Sequence, residues 1–199
     1  MDQSNRLRFY QYLRTMLVFR EAKNTDVDRI ANLHAQSWQQ NYRGSFSDEF
    51  LDNEVLDDRL AVWHERFNNP KENQHIVIAE ENGLLLGFIC SYFKESPIYG
   101  TYLDNLHVSD AAKGKGIGTK LMGNLAQEIN GRNYKNGFYL WVLNTNYAAI
   151  SFYDRIGGKS LETVEANDIG DTVFQKTRYV WKDMNEFLKM VNTKIRIER

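Results

Sequence analysis

The sequence predicts an α/β (α+β layered) domain with a mixed central sheet of about seven strands and about four helices on both faces. Short apolar or alternating segments, typical of strands, are interspersed with segments whose apolar residues recur every three or four positions. The length of 199 residues suits one domain with a substantial core, and only two prolines and no Ser- or Gly-rich linker interrupt the chain. Residues 16–199 are therefore expected to form a single domain that includes a C-terminal helix.

Seven segments have strand character. Glu81-Asn82-Gly83 favours a hairpin turn with positive backbone dihedrals, and Ser96-Pro97 separates two later strands. The predicted strands are residues 16–20, 75–80, 84–93, 99–108, 138–143, 159–165 and 174–182. Residues 1–15 precede this pattern and are expected to be an N-terminal extension: a flexible segment, an extra helix or an artefact of start-site choice.

The helices are predicted from capping residues and apolar stripes. Asn24-Thr25-Asp26 supplies an N-cap and an acidic first turn for a helix that ends near Trp38. A second helix is expected from Ser47 or Asp48 to about Phe67. A third helix ends at Gly131, and its buried stripe consists of Ile117, Leu121, Leu125 and Ile129. A fourth helix covers residues 147–156.

The C-terminal helix also has an apolar stripe. This stripe needs a surface to cover, either the domain itself or a partner chain, so a homodimer is considered. Its residues are Met184, Phe187, Leu188, Val191 and Ile195.

The composition argues against several classes of function. The formal net charge is −1, with 25 basic and 26 acidic side chains, which argues against a general nucleic-acid binder. The single cysteine, Cys90, lies in an apolar run and is expected to be buried and inert. No apolar stretch reaches the roughly 20 residues needed to span a membrane, and the N-terminus lacks the apolar core of a secretory signal, so no membrane association and a cytoplasmic location are expected. The four histidines show no metal-ligand spacing.

A glycine-rich loop lies between a predicted strand and a predicted helix. In Lys113-Gly114-Lys115-Gly116-Ile117-Gly118, the glycines allow close backbone approach, and the amides at the helix start can bind a diphosphate. The spacing fits neither a mononucleotide P-loop nor a dinucleotide fingerprint, since Thr119 stands where the latter needs its third glycine.

The loop resembles the signature Arg/Gln-x-x-Gly-x-Gly/Ala of the GNAT superfamily of acetyl-CoA-dependent N-acetyltransferases, with Lys113 in place of Arg or Gln. Leu106-His107-Val108 resembles the strand end that precedes the loop in that family. Residues 146–153 and Gly157 resemble its Asn-x-x-Ala-x-x-Phe-Tyr-x-x-x-Gly-Phe segment, although Gly158 replaces the last aromatic residue. The resemblance covers roughly residues 16–182.

The resemblance implies a GNAT fold in which the strands at 99–108 and 138–143 splay apart and the pantetheine arm of acetyl-CoA enters the gap. A backbone N–H near Val108 is then expected to polarise the thioester carbonyl. No metal is needed for this chemistry. The implied cofactor-binding residues are Leu106, His107, Val108, Lys113, Gly114, Lys115, Gly116, Ile117, Gly118, Thr119, Asn146, Ala149, Phe152 and Tyr153. Asn146 can instead be a plain N-cap.

Catalytic roles follow from the same resemblance. Tyr153 is the candidate acid that protonates the departing CoA thiolate. Asp104, read as lying on the same strand face as Leu106 and Val108, is the candidate base for the amine and also part of the acceptor site; His107, on the opposite face, ranks second. No Ser-His or Cys-His arrangement is expected near the loop, which favours direct transfer.

The acceptor is expected to be a primary amine of a small molecule or peptide, and its site is expected to include Trp38, Tyr42, Arg43 and Phe46. Trp38 and Tyr42 are four residues apart and can equally form a core stripe. The alternative function is a non-catalytic acyl-CoA-binding module that senses the cofactor or regulates a partner.

Overall fold

The computed structural model describes residues 17–167 and 172–197. The expected extension at residues 1–15 lies outside the described residues. As predicted, the described chain forms one mixed sheet of seven strands. Their order in the sheet is β1-β2-β3-β4-β5-β7-β6. Its strands are Val18–Glu21 (β1), Gln74–Glu81 (β2), Leu84–Ser96 (β3), Gly100–Val108 (β4), Phe138–Leu143 (β5), Lys159–Ala166 (β6) and Phe174–Trp181 (β7).

Five α-helices accompany the sheet in the described part of the chain. They are Val27–Asn41 (α1), Val55–Asn68 (α2), Ile117–Gly131 (α3), Tyr147–Arg155 (α4) and Met184–Ile197 (α5). A π-helical turn, Phe50–Glu54, leads directly into α2. Within the described residues, no helix is both long and apolar enough to cross a membrane.

The helices cover opposite faces of the sheet. On one face, Ile30 of α1 and Trp63 of α2 pack on β2 and β3. On the other, α3 and α5 pack on the sheet, and all four residues of the predicted α3 stripe are buried. The prediction of helices on both faces is confirmed.

The hairpin turn between β2 and β3 has the predicted geometry, because Asn82 and Gly83 have φ values of 54° and 76°. All neighbouring strands pair antiparallel except β4 and β5, which pair in parallel.

A buried carboxylate fixes the start of α1. Asp26 is only 1% exposed and accepts hydrogen bonds from Arg20 at 2.7 and 3.0 Å, from Arg29 at 2.9 Å and from the backbone N–H of Lys23 at 2.9 Å. Glu80 of β2 binds both arginines. The Arg20 guanidinium lowers the pKa of Asp26, so this cluster of opposite charges ties β1, β2 and α1 together.

The apolar stripe of α5 packs inside the domain. Met184, Phe187 and Val191 are buried against the face that α3 also covers, and Leu188 is partly buried there. The side chain of Ile195 lies outside the described residues. Because the domain itself covers the stripe, the stripe no longer argues for a homodimer.

Candidate functional site

β4 and β5 separate soon after they meet. They pair only at Thr101 with Phe138 and at Tyr102 with Tyr139, whereas the antiparallel β3–β4 ladder continues to Val108. At the joined end, neither Gly100 nor Gly137 has room for a side chain, because a Cβ at Gly100 would clash with the carbonyl oxygen of Gly137 and a Cβ at Gly137 would clash with the carbonyl oxygen of Trp181 in β7. The predicted splay is therefore present, with a gap beside the second half of β4.

The backbone groups of Val108 face this gap. The N–H of Ser109 donates to the carbonyl of Leu86 in β3 at 2.9 Å, so it points away from β5. Successive residues of a strand direct their backbone groups to opposite sides, which turns those of Val108 toward the gap. Leu106 has the same direction, two residues earlier.

The glycine-rich loop lies at the end of β4. Gly114 and Gly116 have φ values of 77° and 71°, and Gly116 is the N-cap of α3. No described residue accepts a hydrogen bond from the N–H groups of Ile117 or Gly118, as expected for the first turn of a helix. These donors and the positive end of the helix dipole have the geometry that suits an anion.

Two lysines of the loop differ from expectation. Lys113 Nζ lies 2.6 Å from Asp110 Oδ1, so a carboxylate already pairs with it. Lys115 is exposed and does not line the cavity described below. The backbone amides of the loop therefore matter more for an anion than these two side chains.

Helix α4 packs against the loop. A Cβ added at Gly118 would lie 3.3 Å from Phe152 Cζ, so only glycine lets the two helices approach without displacement. Asn146 caps α4, because its Oδ1 accepts a hydrogen bond from Ala149 N at 3.1 Å. The N-cap alternative for Asn146 is thus present, and Asn146 also lines the cavity.

One cavity of about 1070 Å³ connects these features. Every predicted cofactor-binding residue except Lys115 lines it, together with both predicted catalytic residues. Its far wall is aromatic: Trp38, Tyr42, Phe46, Phe50 and Phe174.

Tyr153 lies deep in the cavity wall. It is 8% exposed, and its ring lies 5.8 Å from both Tyr179 and Trp181. Burial raises the pKa of Tyr153, and Tyr42 adds to the rise, so the phenol is protonated at neutral pH.

Four of the five predicted acceptor residues line the cavity, namely Asp104, Trp38, Tyr42 and Phe46. Trp38 and Phe46 are mostly buried, and their ring centroids are 5.3 Å apart. Tyr42 lies 5.3 Å from Trp38, so these rings are both core and cavity wall. Arg43 does not line the cavity, since it turns outward to form ion pairs with Asp48 and Asp52.

The predicted orientation of Asp104 is wrong. Asp104 Oδ2 and Asn105 Oδ1 both lie 2.8 Å from Arg66 Nη1 of α2. Two consecutive side chains reach the same helix because the β3–β4 register shifts here, as in a β-bulge. Asp104 therefore shares the α1–α2 face of the sheet with His107, while Leu106 and Val108 pack on the opposite face.

A serine–histidine pair is also present, contrary to the sequence-based expectation. Ser37 Oγ lies 2.8 Å from His107 Nδ1, and both residues line the cavity. Burial lowers the pKa of His107 to about 3, and the neighbouring His34 ring lies 4.3 Å away. A neutral imidazole with this pKa is a poor base for activating a serine hydroxyl.

Two arginines of α2 were not predicted as site residues. Arg59 lies 4.2 Å above the Trp38 ring and forms an ion pair with Asp58, and Arg66 pairs with Asp104. Both arginines line the cavity. Their seven-residue spacing puts them on one face of a helix, a signal that the sequence contains.

Comparison with known proteins agrees with the family that the sequence motifs resemble. Residues 27–158, more than half of the chain, match the model of the Acetyltransferase (GNAT) family. An uncharacterised N-acetyltransferase of Methanocaldococcus jannaschii is 26% identical over 167 residues, which is 82% of this chain and 69% of the relative.

Solved structures share the fold. The PaiA N-acetyltransferase from Thermoplasma acidophilum, in complex with coenzyme A, has a TM-score of 0.63 at 18% identity, covering 84% of this chain and 100% of that one. An N-acetyltransferase from Staphylococcus aureus has a TM-score of 0.62 at 22% identity, covering 84% of this chain and 99% of that one.

Proposed function

The chain belongs to the GNAT acetyltransferase family, and from this premise we propose that it transfers the acetyl group of acetyl-CoA directly to a primary amine of a small molecule or peptide. One observation carries the proposal: the unpaired edge of β4 and the glycine-rich loop open into the same cavity. The gap suits an extended pantetheine arm, and the loop amides suit a diphosphate.

The cofactor's own contribution is an activated acetyl thioester. The backbone of Leu106 and Val108 offers the hydrogen-bonding groups that an added strand would use, and the Val108 N–H is suited to polarise the thioester carbonyl. The N–H groups of Ile117 and Gly118 at the start of α3 are assigned to the diphosphate.

Tyr153 is proposed to supply a proton to the departing thiolate. Its phenol is protonated at neutral pH, which a general acid requires, and it lines the cavity. Because burial raises the pKa of Tyr153, proton transfer to a thiolate with an ordinary pKa of about 8.5 is uphill. The proposed role of the phenol is therefore to donate a hydrogen bond to the leaving sulfur and to pass its proton on as the C–S bond breaks.

Asp104 is proposed to receive the amine proton, directly or through water. A primary amine has a pKa of about 10 and is mostly protonated at neutral pH, so this proton must leave before attack. The β-bulge turns Asp104 toward Arg66 and the face that carries Trp38, and this orientation supports a role beside the acceptor rather than beside the cofactor.

His107 is less suited to that role. It is 8% exposed and its Nδ1 lies 2.8 Å from Ser37 Oγ, whereas the side chain of Asp104 is 18% exposed. The Ser37–His107 pair is accordingly assigned to shaping the wall of the cavity, and the proposal keeps direct transfer without an acyl-enzyme.

The test combines turnover with binding. The protein is mixed with acetyl-CoA and a panel of polyamines, amino acids, aminoglycosides and peptides with free N-termini, and free thiol is followed. With any amine that is accepted, Tyr153→Phe should lower kcat about 100-fold, within the range for a general acid, while CoA affinity measured by calorimetry is unchanged. Tyr147→Phe is the matched control, because Tyr147 lies on the same helix, is 76% exposed and does not line the cavity.

The outcomes separate the alternatives. Silence with every amine together with tight CoA binding would support the sensor function instead. Equal kcat values for the Tyr153→Phe and Tyr147→Phe variants would remove Tyr153 from the mechanism.

A further inference from the structure

The C-terminal helix reaches the glycine-rich loop. α5 runs antiparallel to α3: Asn130, near the end of α3, donates a hydrogen bond to Asn185, near the start of α5, at 2.8 Å. Midway along, Gly123 of α3 lies against Val191, since a Cβ at Gly123 would be 3.1 Å from Val191 Cγ1. Helices rise about 1.5 Å per residue, so Lys194 is level with the first turn of α3.

Lys194 lines the same cavity as the loop. It is half-buried there, with Gly114, Gly116 and Gly118 among the other lining residues. No carboxylate pairs with Lys194 among the residues that the structure describes, in contrast to Lys113 with its partner Asp110. Asp110 thus competes with a ligand for the charge of Lys113, whereas no carboxylate among the described residues competes for that of Lys194.

We propose that Lys194 binds a phosphate group at the nucleotide end of CoA, so that the C-terminal helix completes the phosphate site. This rests on the proposed function. Lys194 lies outside residues 27–158, the part of the chain that matches the family model, so the family pattern does not assign it. An ammonium at this position adds a charge-assisted hydrogen bond to the neutral amide donors of α3.

A purely structural role would give different results. A lysine in the last turn of a helix interacts favourably with the helix dipole. If that were its only role, its removal would lower the thermal stability of the protein and would leave ligand affinity unchanged. Lys194→Met retains the length of the side chain and removes the charge, Lys194→Arg retains the charge, and Lys189→Met is the matched control at an exposed site on the same helix.

The experiment measures the dissociation constants of CoA, 3′-dephospho-CoA and pantetheine for each variant at low ionic strength, by tryptophan fluorescence, together with the thermal midpoint. Lys194→Met should weaken CoA binding about three- to ten-fold, and Lys194→Arg should largely restore it. Lys189→Met should bind like the wild type.

The ligand series identifies the phosphate. If the loss disappears with 3′-dephospho-CoA, the contact is to the 3′-phosphate; if it persists there and disappears with pantetheine, the contact is to the diphosphate. An equal loss with pantetheine, or no loss with CoA, overturns the proposal for Lys194. Failure of the wild-type protein to bind CoA at all would instead overturn the proposed function and this inference with it.

Discussion

Asp26→Asn is expected to destabilise the domain strongly from a position outside the active cavity. The Asp26 carboxylate accepts four hydrogen bonds, three of them from the guanidinium groups of Arg20 and Arg29. Breaking a buried ion pair typically costs about 3–5 kcal/mol, and because the two arginines are 26% and 34% exposed, water compensates in part. We therefore expect a loss of about 2–3 kcal/mol in the free energy of unfolding.

The dependence on pH follows from the lowered pKa of Asp26. A carboxyl group whose pKa is lower in the folded state stabilises the fold fully above its unfolded pKa, about 3.9, and this stabilisation is lost as the pH falls through the folded pKa. The difference between wild type and Asp26→Asn should thus be constant from pH 5 to 8 and shrink below about pH 4.

The assay is urea unfolding at a series of pH values, with Asp52→Asn as control. Asp52 pairs with Arg43 at the exposed surface, where the ion pair is screened by solvent, so its replacement should change stability little. If Asp26→Asn and Asp52→Asn had equal effects, or if the Asp26→Asn loss were unchanged at pH 3, the charge cluster would not be what holds the start of α1.

Two further predictions concern the cavity. Gly118→Val should weaken CoA binding at least ten-fold while the fold is retained, because the Cβ of the new side chain would lie 3.3 Å from Phe152. Calorimetry measures the CoA affinity of the variant. An unchanged affinity would contradict the proposed contact between CoA and the loop. Burial lowers the pKa of His107 to about 3, so the unfolded chain binds a proton that the folded chain does not, and the free energy of unfolding should fall as the pH drops from about 6.5 toward 4. Histidine NMR resonances should show no titration of His107 above about pH 4.5, and a midpoint near 6.5 would refute its burial.

Much of the fold was predictable because it depends on local patterns. The short apolar run at residues 138–143 predicted the bounds of β5 as the structure has them, and the buried stripe of α3 followed from four-residue spacing. The strand at 84–93 was predicted three residues too short at its C-terminal end, because polar residues at the end of β3 continue to pair with β4.

The features that were missed depend on contacts between distant residues. Regular alternation puts Asp104 with Leu106, and only the pairing of β4 with β3 reveals the bulge that turns it toward Arg66. The Ser37–His107 hydrogen bond joins residues 70 positions apart, which no local spacing indicates. Lys194 likewise reaches the loop only through the packing of α5 on α3.

The short parallel pairing of β4 with β5 divides the sheet into two halves that are joined at one end. One half of the sheet contains β1 to β4, and the other contains β5, β7 and β6. Among the described residues, only the pairs Thr101–Phe138 and Tyr102–Tyr139 join the two halves by strand pairing. A molecule that lies in the gap and forms hydrogen bonds with β4 on one side and β5 on the other would replace the inter-strand hydrogen bonds that are missing there. The two halves of the sheet would then unfold together rather than one after the other. We therefore expect the domain to unfold most cooperatively when its cavity is occupied.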